Sequence, residues 1–245
     1  MHNKIGVFDS GIGGLNILSR LVEILPGEDF IYYGDGKNCP YGTKTDDELM
    51  KITCRIVDYF KKCGCGVIVI ACNTATTRCM KKLRQLYPEL IFIGTVPAVK
   101  MACDNKCYNT LVLATDGTIA SERVHELVRD NKNNDQNIYL VACTGLAEAI
   151  EDKNDKLIDE ILVRYLSDYL DKDIDSIVLG CTHYPWAREN ILKLFPDVLI
   201  FDGIDGVARE VKRQLELNNF PANTEWGIVN VFDDVKYQEG LGFGG

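Results

Sequence analysis

Two segments of this chain repeat one pattern 109 residues apart: VIVIACNTAT around Cys72 and SIVLGCTHYP around Cys181. Each is a run of aliphatic and β-branched residues, then a small residue, a cysteine, and hydroxyl or amide residues opening an amphipathic stretch. That order predicts a buried strand, a turn and a helix start. The surrounding sequence keeps the same rhythm. IGVF (5–8), DFIYYGD (29–35), VIVIA (67–71) and LIFIG (90–94) are predicted strands, separated by helices over LNILSRLVEIL, DDELMKITCRIVDYFKKC and TATTRCMKKLRQLY. Alternation of this kind predicts parallel sheet with helices on both faces.

The rhythm restarts near residue 110. TLVLATDGT answers IGVFDSG, VHELVRDN the first helix, NIYLVACTG the second strand and KLIDEILVRYLSDYL the second long helix. DSIVLGCTHYP and VLIFDGIDG then answer VIVIACNTA and LIFIGTVPA. Thr115 follows Asp9 by 106 residues and Cys181 follows Cys72 by 109, so an internal duplication is expected. The fold class is therefore α/β, with two pseudo-symmetric lobes, each a parallel sheet flanked by helices, facing one another. GVAREVKRQLELNN is a last helix, and GIVNVFDDVKYQ is expected to return a strand to the first lobe. The expected division is 1–97 with 208–245 for the first lobe and 98–207 for the second. With no Ser-, Pro- or Gly-rich linker between them, the lobes should pack closely.

Charge narrows the partners. The 27 basic residues against 36 acidic give a net charge of -9, which repels nucleic acid and anionic membrane surfaces and favours a small-molecule partner. No apolar run is long enough to span a bilayer, and the amino terminus meets Asp9 too early for a signal-peptide core, so a cytoplasmic protein is expected. The ten cysteines then count as reduced thiols rather than a disulfide framework. Cys63 with Cys65 and Cys103 with Cys107 lack the spacing of a zinc site, and only His2, His125 and His183 are available to complete one. No metal is expected.

Most buried cysteines are simply small apolar residues, but the matched settings of Cys72 and Cys181 point elsewhere. A thiol at the carboxyl end of a parallel strand lies where α/β proteins bind ligands, and a following helix start favours a thiolate and anions. Asn73 and Thr74 follow the first thiol, Thr182 and His183 the second. Two such thiols, one from each half, point to one site worked from both sides. DSGIGG (9–14) has neither G-x-G-x-x-G spacing nor a P-loop lysine; it offers instead Asp9 and Ser10, an acid able to hold an ammonium or orient a thiol. His183, two residues from Cys181, suits an acid–base or orienting role. NCPYGTK (38–44) is a turn fixed by Pro40 and Gly42 that would carry Tyr41 at the surface.

Taken together, GVFDSGIGGL, YYGDGKNCPYGTK, VIACNTAT, GTVPAVKMA, ATDGTIASERVHELV and VLGCTHYP resemble, in this order and over most of the chain, the glutamate racemases of the cofactor-independent aspartate/glutamate racemase superfamily. The resemblance implies an active site in the cleft between the lobes and a two-base reaction without cofactor. By it, Cys72 serves the face of the D substrate and Cys181 that of the L, with Asp9 supporting Cys72, and His183 and Glu151 supporting Cys181. Ser10, Tyr41, Gly42, Asn73, Thr74, Thr118 and Thr182 fall on substrate-binding positions, with Asp9 and His183. It also implies a homodimer and a supply of D-glutamate for peptidoglycan. Gly36, Cys39, Asp116, Val124 and Thr144 depart from the common pattern, as does the carboxyl-terminal tail.

Racemisation needs a proton removed from one face of Cα and another delivered to the opposite face, and two thiols, one thiolate and one protonated, meet both needs. Other readings remain open on the residues alone: a relative acting on aspartate, a hydantoin or a malonate, or a non-catalytic amino-acid-binding protein on the same fold. A dithiol oxidoreductase would require a C-x-x-C motif, which this chain lacks.

Overall fold

The computed structural model describes residues 4–220 and 227–233. His2 and the tail beyond residue 233 lie outside them. The first half runs β1 (Lys4–Asp9), α1 (Leu15–Ile24), β2 (Phe30–Gly34), α2 (Asp46–Lys62), β3 (Cys65–Ile70), α3 (Asn73–Leu86) and β4 (Ile91–Gly94). The second runs α4 (Val99–Asp104), β5 (Asn109–Ala114), α5 (Asp116–Ile119), α6 (Glu122–Asn131), β6 (Asn137–Ala142), α7 (Leu146–Glu151), α8 (Asp155–Leu166), β7 (Ser176–Leu179), α9 (Arg188–Leu194) and β8 (Leu199–Phe201). Then α10 (Ile204–Leu217) and β9 (Val229–Asp233) follow.

The strands form two sheets, ordered β4-β3-β1-β2-β9 and β6-β5-β7-β8, and every pairing is parallel. Read from the opposite edge, the second sheet repeats the first four strands of the first, element for element. The duplication in the sequence is thus a duplication of topology, with β9 added beside β2. The chain crosses between sheets twice: from β4 into α4, which packs on α6 and β7, and from β8 into α10, which packs on α1 and β4.

Parallel sheets covered on both faces need strands apolar on both faces. In β3, Val67 and Val69 enter one core while Ile68 and Ile70 enter the other; in β5, Leu111 and Leu113 face one cluster and Val112 another. This explains why the strands are near-continuous aliphatic runs rather than alternating ones. The longest helix, α2, begins with a complete capping box between Thr45 and Glu48, carries Asp46, Asp47 and Glu48 in its first turn, and ends with Lys61 and Lys62. Both ends therefore complement the helix dipole.

Candidate active site

Cys72 and Cys181 each lie two residues beyond the end of a strand, β3 and β7 respectively, and both are buried. Asp9 closes β1, the strand beside β3. Its carboxylate is fully buried, and Oδ2 accepts from the Gly14 amide at 2.7 Å and from the Thr182 hydroxyl at 3.1 Å. One acid of the first sheet is thereby bonded to the neighbour of the second thiol. Oδ1 of Asp9 and Oδ1 of Asn73, the first residue of α3, are buried without a hydrogen-bond partner among the described residues.

The second thiol has its own relay. His183 Nδ1 lies 3.7 Å from Cys181 Sγ, and Nε2 lies 2.6 Å from Glu151 Oε1, at the end of α7. The same Glu151 oxygen accepts the Ile12 amide at 3.0 Å, from the turn after β1. Burial draws the His183 pKa down, but its hydrogen bonds to Cys181 and Glu151 and the negative charge around it win, so it lies well above its ordinary value. For Asp9 burial wins over the attraction of His183, and the pKa is raised.

The glycines of DSGIGG make this approach possible. A Cβ on Gly11 would sit 2.1 Å from Glu151 Oε1, and one on Gly13 would meet Thr182 Oγ1, His183 Nδ1 and Asp9 Oδ2 at 2.5, 2.7 and 2.8 Å. The turn is glycine-rich so that carboxylates, imidazole and backbone can crowd together.

Three sequence-based expectations change. A helix start beside Cys72 was expected to lower its pKa, and the Ala75 and Thr74 amides do pull that way. Burial, with the charges of Asp9 and Cys181 adding to it, outweighs them and pushes the thiol well above its usual value. The helix after Cys181 starts later than the one after Cys72: a 3₁₀ turn at Tyr184–Ala187, with Pro185 in its first positions, leads into α9. Tyr41 is not at the surface. It is 1% exposed, and its hydroxyl donates to Asp35 Oδ2 at 2.7 Å, locking the NCPYG turn against the end of β2.

The remaining residues gather at the same edge. Thr74 Oγ1 lies 2.8 Å from Thr115 Oγ1 and 3.1 Å from Thr118 Oγ1, a cluster of hydroxyls joining α3 to the turn after β5. Gly42 packs against Thr115, where a Cβ would lie 3.2 Å from the threonine Cβ. A cavity of about 560 Å³ opens there, lined by Gly42, Lys44, Arg78, Asp116 and Gly117 among others. Ser10 is buried, and its hydrogen bond works against the burial and the Glu151 and Asp9 charges that push the Cys39 thiol up to about 12. Two departures from the common pattern meet: Thr144 donates to both oxygens of Asp116 at 2.9 Å. Sequence reasoning missed Thr115, Asp35 and the Ile12 amide. Thr115 was discoverable, since the duplication puts it opposite Asp9.

All ten cysteines are free thiols, and no group of three or more metal-ligating side chains occurs among the described residues. His125 is exposed on α6. No helix among the described residues is long and apolar enough to cross a membrane.

The family model for Asp/Glu/Hydantoin racemase matches residues 5–211. A glutamate racemase of Clostridium novyi is 40% identical over 241 residues, spanning 96% of this chain and 92% of the relative. Among solved structures, glutamate racemase from Francisella tularensis in complex with D-glutamate superposes with a TM-score of 0.82 at 30% identity, covering 95% of this chain and 88% of that one. The Escherichia coli glutamate racemase in complex with L-glutamate and the activator UDP-MurNAc-ala gives 0.81 at 28% identity, over 94% and 89%. A match along nearly the whole length leaves one conclusion: the chain belongs to the Asp/Glu/Hydantoin racemase family.

Proposed function

We propose that this chain interconverts L- and D-glutamate without a cofactor, using Cys72 and Cys181 as paired acid and base on opposite faces of Cα. The single observation that carries the reading is a pair of thiols at matched positions of two sheets, electrostatically coupled to each other, with Asp9 beside the first and bonded to the neighbour of the second. Asp9 acts electrostatically on Cys72 and holds the Thr182 hydroxyl beside Cys181. The relatives act on glutamate by name, and two of the solved structures hold it.

The site's unpaired groups fit an amino acid. Buried oxygens that lack donors, on Asp9 and Asn73, are stabilised by a ligand that brings an ammonium group. That cation also offsets the Asp9 charge, easing loss of the proton from Cys72. On the other face, Glu151 orients His183 to hold the proton that Cys181 gives up. In each turnover one sulfur takes the Cα proton and the other supplies its replacement. Ser10, Tyr41, Gly42, Thr74, Thr118 and Thr182 belong to the substrate pocket in this reading. The lobes are 1–97 with 208–245, and 98–207; the enzyme is a cytoplasmic homodimer whose D-glutamate feeds peptidoglycan synthesis.

Incubation with L-glutamate in heavy water tests the reaction. Deuterium should enter Cα and the D isomer should form. Binding with neither exchange nor inversion would establish a non-catalytic relative, and exchange with aspartate in preference to glutamate would reassign the substrate.

A further inference from the structure

Both carboxylates at the cleft are held from the opposite sheet: Asp9 by the Thr182 hydroxyl, Glu151 by the Ile12 amide. A third bond crosses the same boundary from a residue that cannot titrate. Asn16, half-buried in the first turn of α1, donates through Nδ2 to the Thr182 carbonyl at 3.3 Å.

The sequence explains why that carbonyl needs a donor. Beyond β7 the main chain closes three-residue turns, with the Tyr184 amide bonded to the Cys181 carbonyl and the Trp186 amide to the His183 carbonyl, both at 3.1 Å. The intervening carbonyl, Thr182, would take its bond from residue 185 in the same series. Residue 185 is proline and has no N–H. The turn thus leaves one acceptor open between the thiol and the imidazole, on a residue that is 8% exposed, and buried carbonyls require partners. Asn16 supplies it from the first lobe.

We propose that Asn16 is a positioning residue for the second thiol. By closing the carbonyl that Pro185 leaves open, it fixes the Cys181–His183 main chain relative to the first lobe, and so holds sulfur and imidazole in register with the substrate. The inference rests on the two-thiol reading above. It predicts that Asn16 acts selectively on the proton transfer made by Cys181.

The test is the isotope effect of the full-length chain carrying Asn16→Leu or Asn16→Ala, measured with L- and D-glutamate deuterated at Cα. Racemisation has an equilibrium constant of one, so kcat/KM should fall alike in both directions, by about ten- to a hundredfold. The isotope effect on kcat/KM should rise with deuterated L-glutamate, where Cys181 takes the deuteron. It should fall with deuterated D-glutamate, where Cys181 acts after the Cα bond has broken. Isotope effects unchanged for both enantiomers would overturn the proposal whatever the rate, because a merely structural defect lowers the amount of working enzyme without changing which transfer limits. Loss of folding in both variants would also count against it, since a positioning contact at a half-buried site is not needed to build the core. No racemisation by the unaltered chain would instead refute the two-thiol reading itself.

Discussion

Asp9 shows how the site trades stability for chemistry. Burial raises its folded-state pKa above the ordinary 3.8. The stabilising effect of its protonated form is therefore fully present below pH 3.8 and is lost as pH climbs through the elevated folded value, above which the group is charged and desolvated. Asp9→Asn should raise the melting temperature at pH 7 by about 2–4 °C, for roughly 1 kcal/mol, with the gain shrinking on acidification. It should also lower kcat/KM by about a hundredfold or more. A lower melting point at pH 7 would contradict this account. Cys72→Ala and Cys181→Ala should each abolish racemisation in a chiral assay while leaving one-way chemistry on substrates that need only one base; full activity in either would end the two-thiol mechanism. At this scale the sequence was legible where the chemistry repeats. The two thiols, Asp9 and His183 stood out because strand ends and spacing marked them. Ile12 did not, because it acts through a main-chain amide, and Asn16 did not, because its partner is a carbonyl left open by a proline turn. Neither contribution is written in residue type alone.

At the scale of elements, the turn from β1 to α1 does more than connect. Its glycines admit Glu151 and His183 from the other sheet, so Gly11→Ala should leave the fold cooperative but displace Glu151 from His183. We expect a loss of about tenfold to a hundredfold in kcat, seen in steady-state kinetics beside an unaltered circular dichroism spectrum; unchanged kcat would mean that the contact is dispensable. The capping box of α2 is a purely structural counterpart. Thr45→Ala should cost about 1 kcal/mol, measured as a lower urea midpoint with unchanged slope. The strands and long helices were legible from periodicity, because both-face burial writes continuous aliphatic runs. The short helices α4, α5, α7 and α9 were not, since four to seven residues give too little repeat to distinguish from loop. The helix expected after Cys181 starts late for a definite reason: Pro185 opens a tighter 3₁₀ turn before α9.

For the whole molecule, the proposed two-thiol mechanism requires both sheets to contribute at once. Alkylation of Cys72 and Cys181 should therefore be slowed together by glutamate, as peptide mapping after thiol labelling would show. Equal labelling with and without glutamate would place the thiols outside the substrate's reach. Bound glutamate should also raise the melting temperature with concentration, as any ligand of the native state does.

The two crossings between the sheets carry a mechanical consequence. A body joined to its neighbour by a single cord swings in any direction, whereas one joined by a pair of parallel cords swings about one line, like a door on two hinges. The passages from β4 to α4 and from β8 to α10 are two such connections, so a swing about the line through them is the breathing motion expected of this fold. On the two-thiol reading, such a swing would let glutamate enter and leave while returning Cys72 and Cys181 to the same register at each closing.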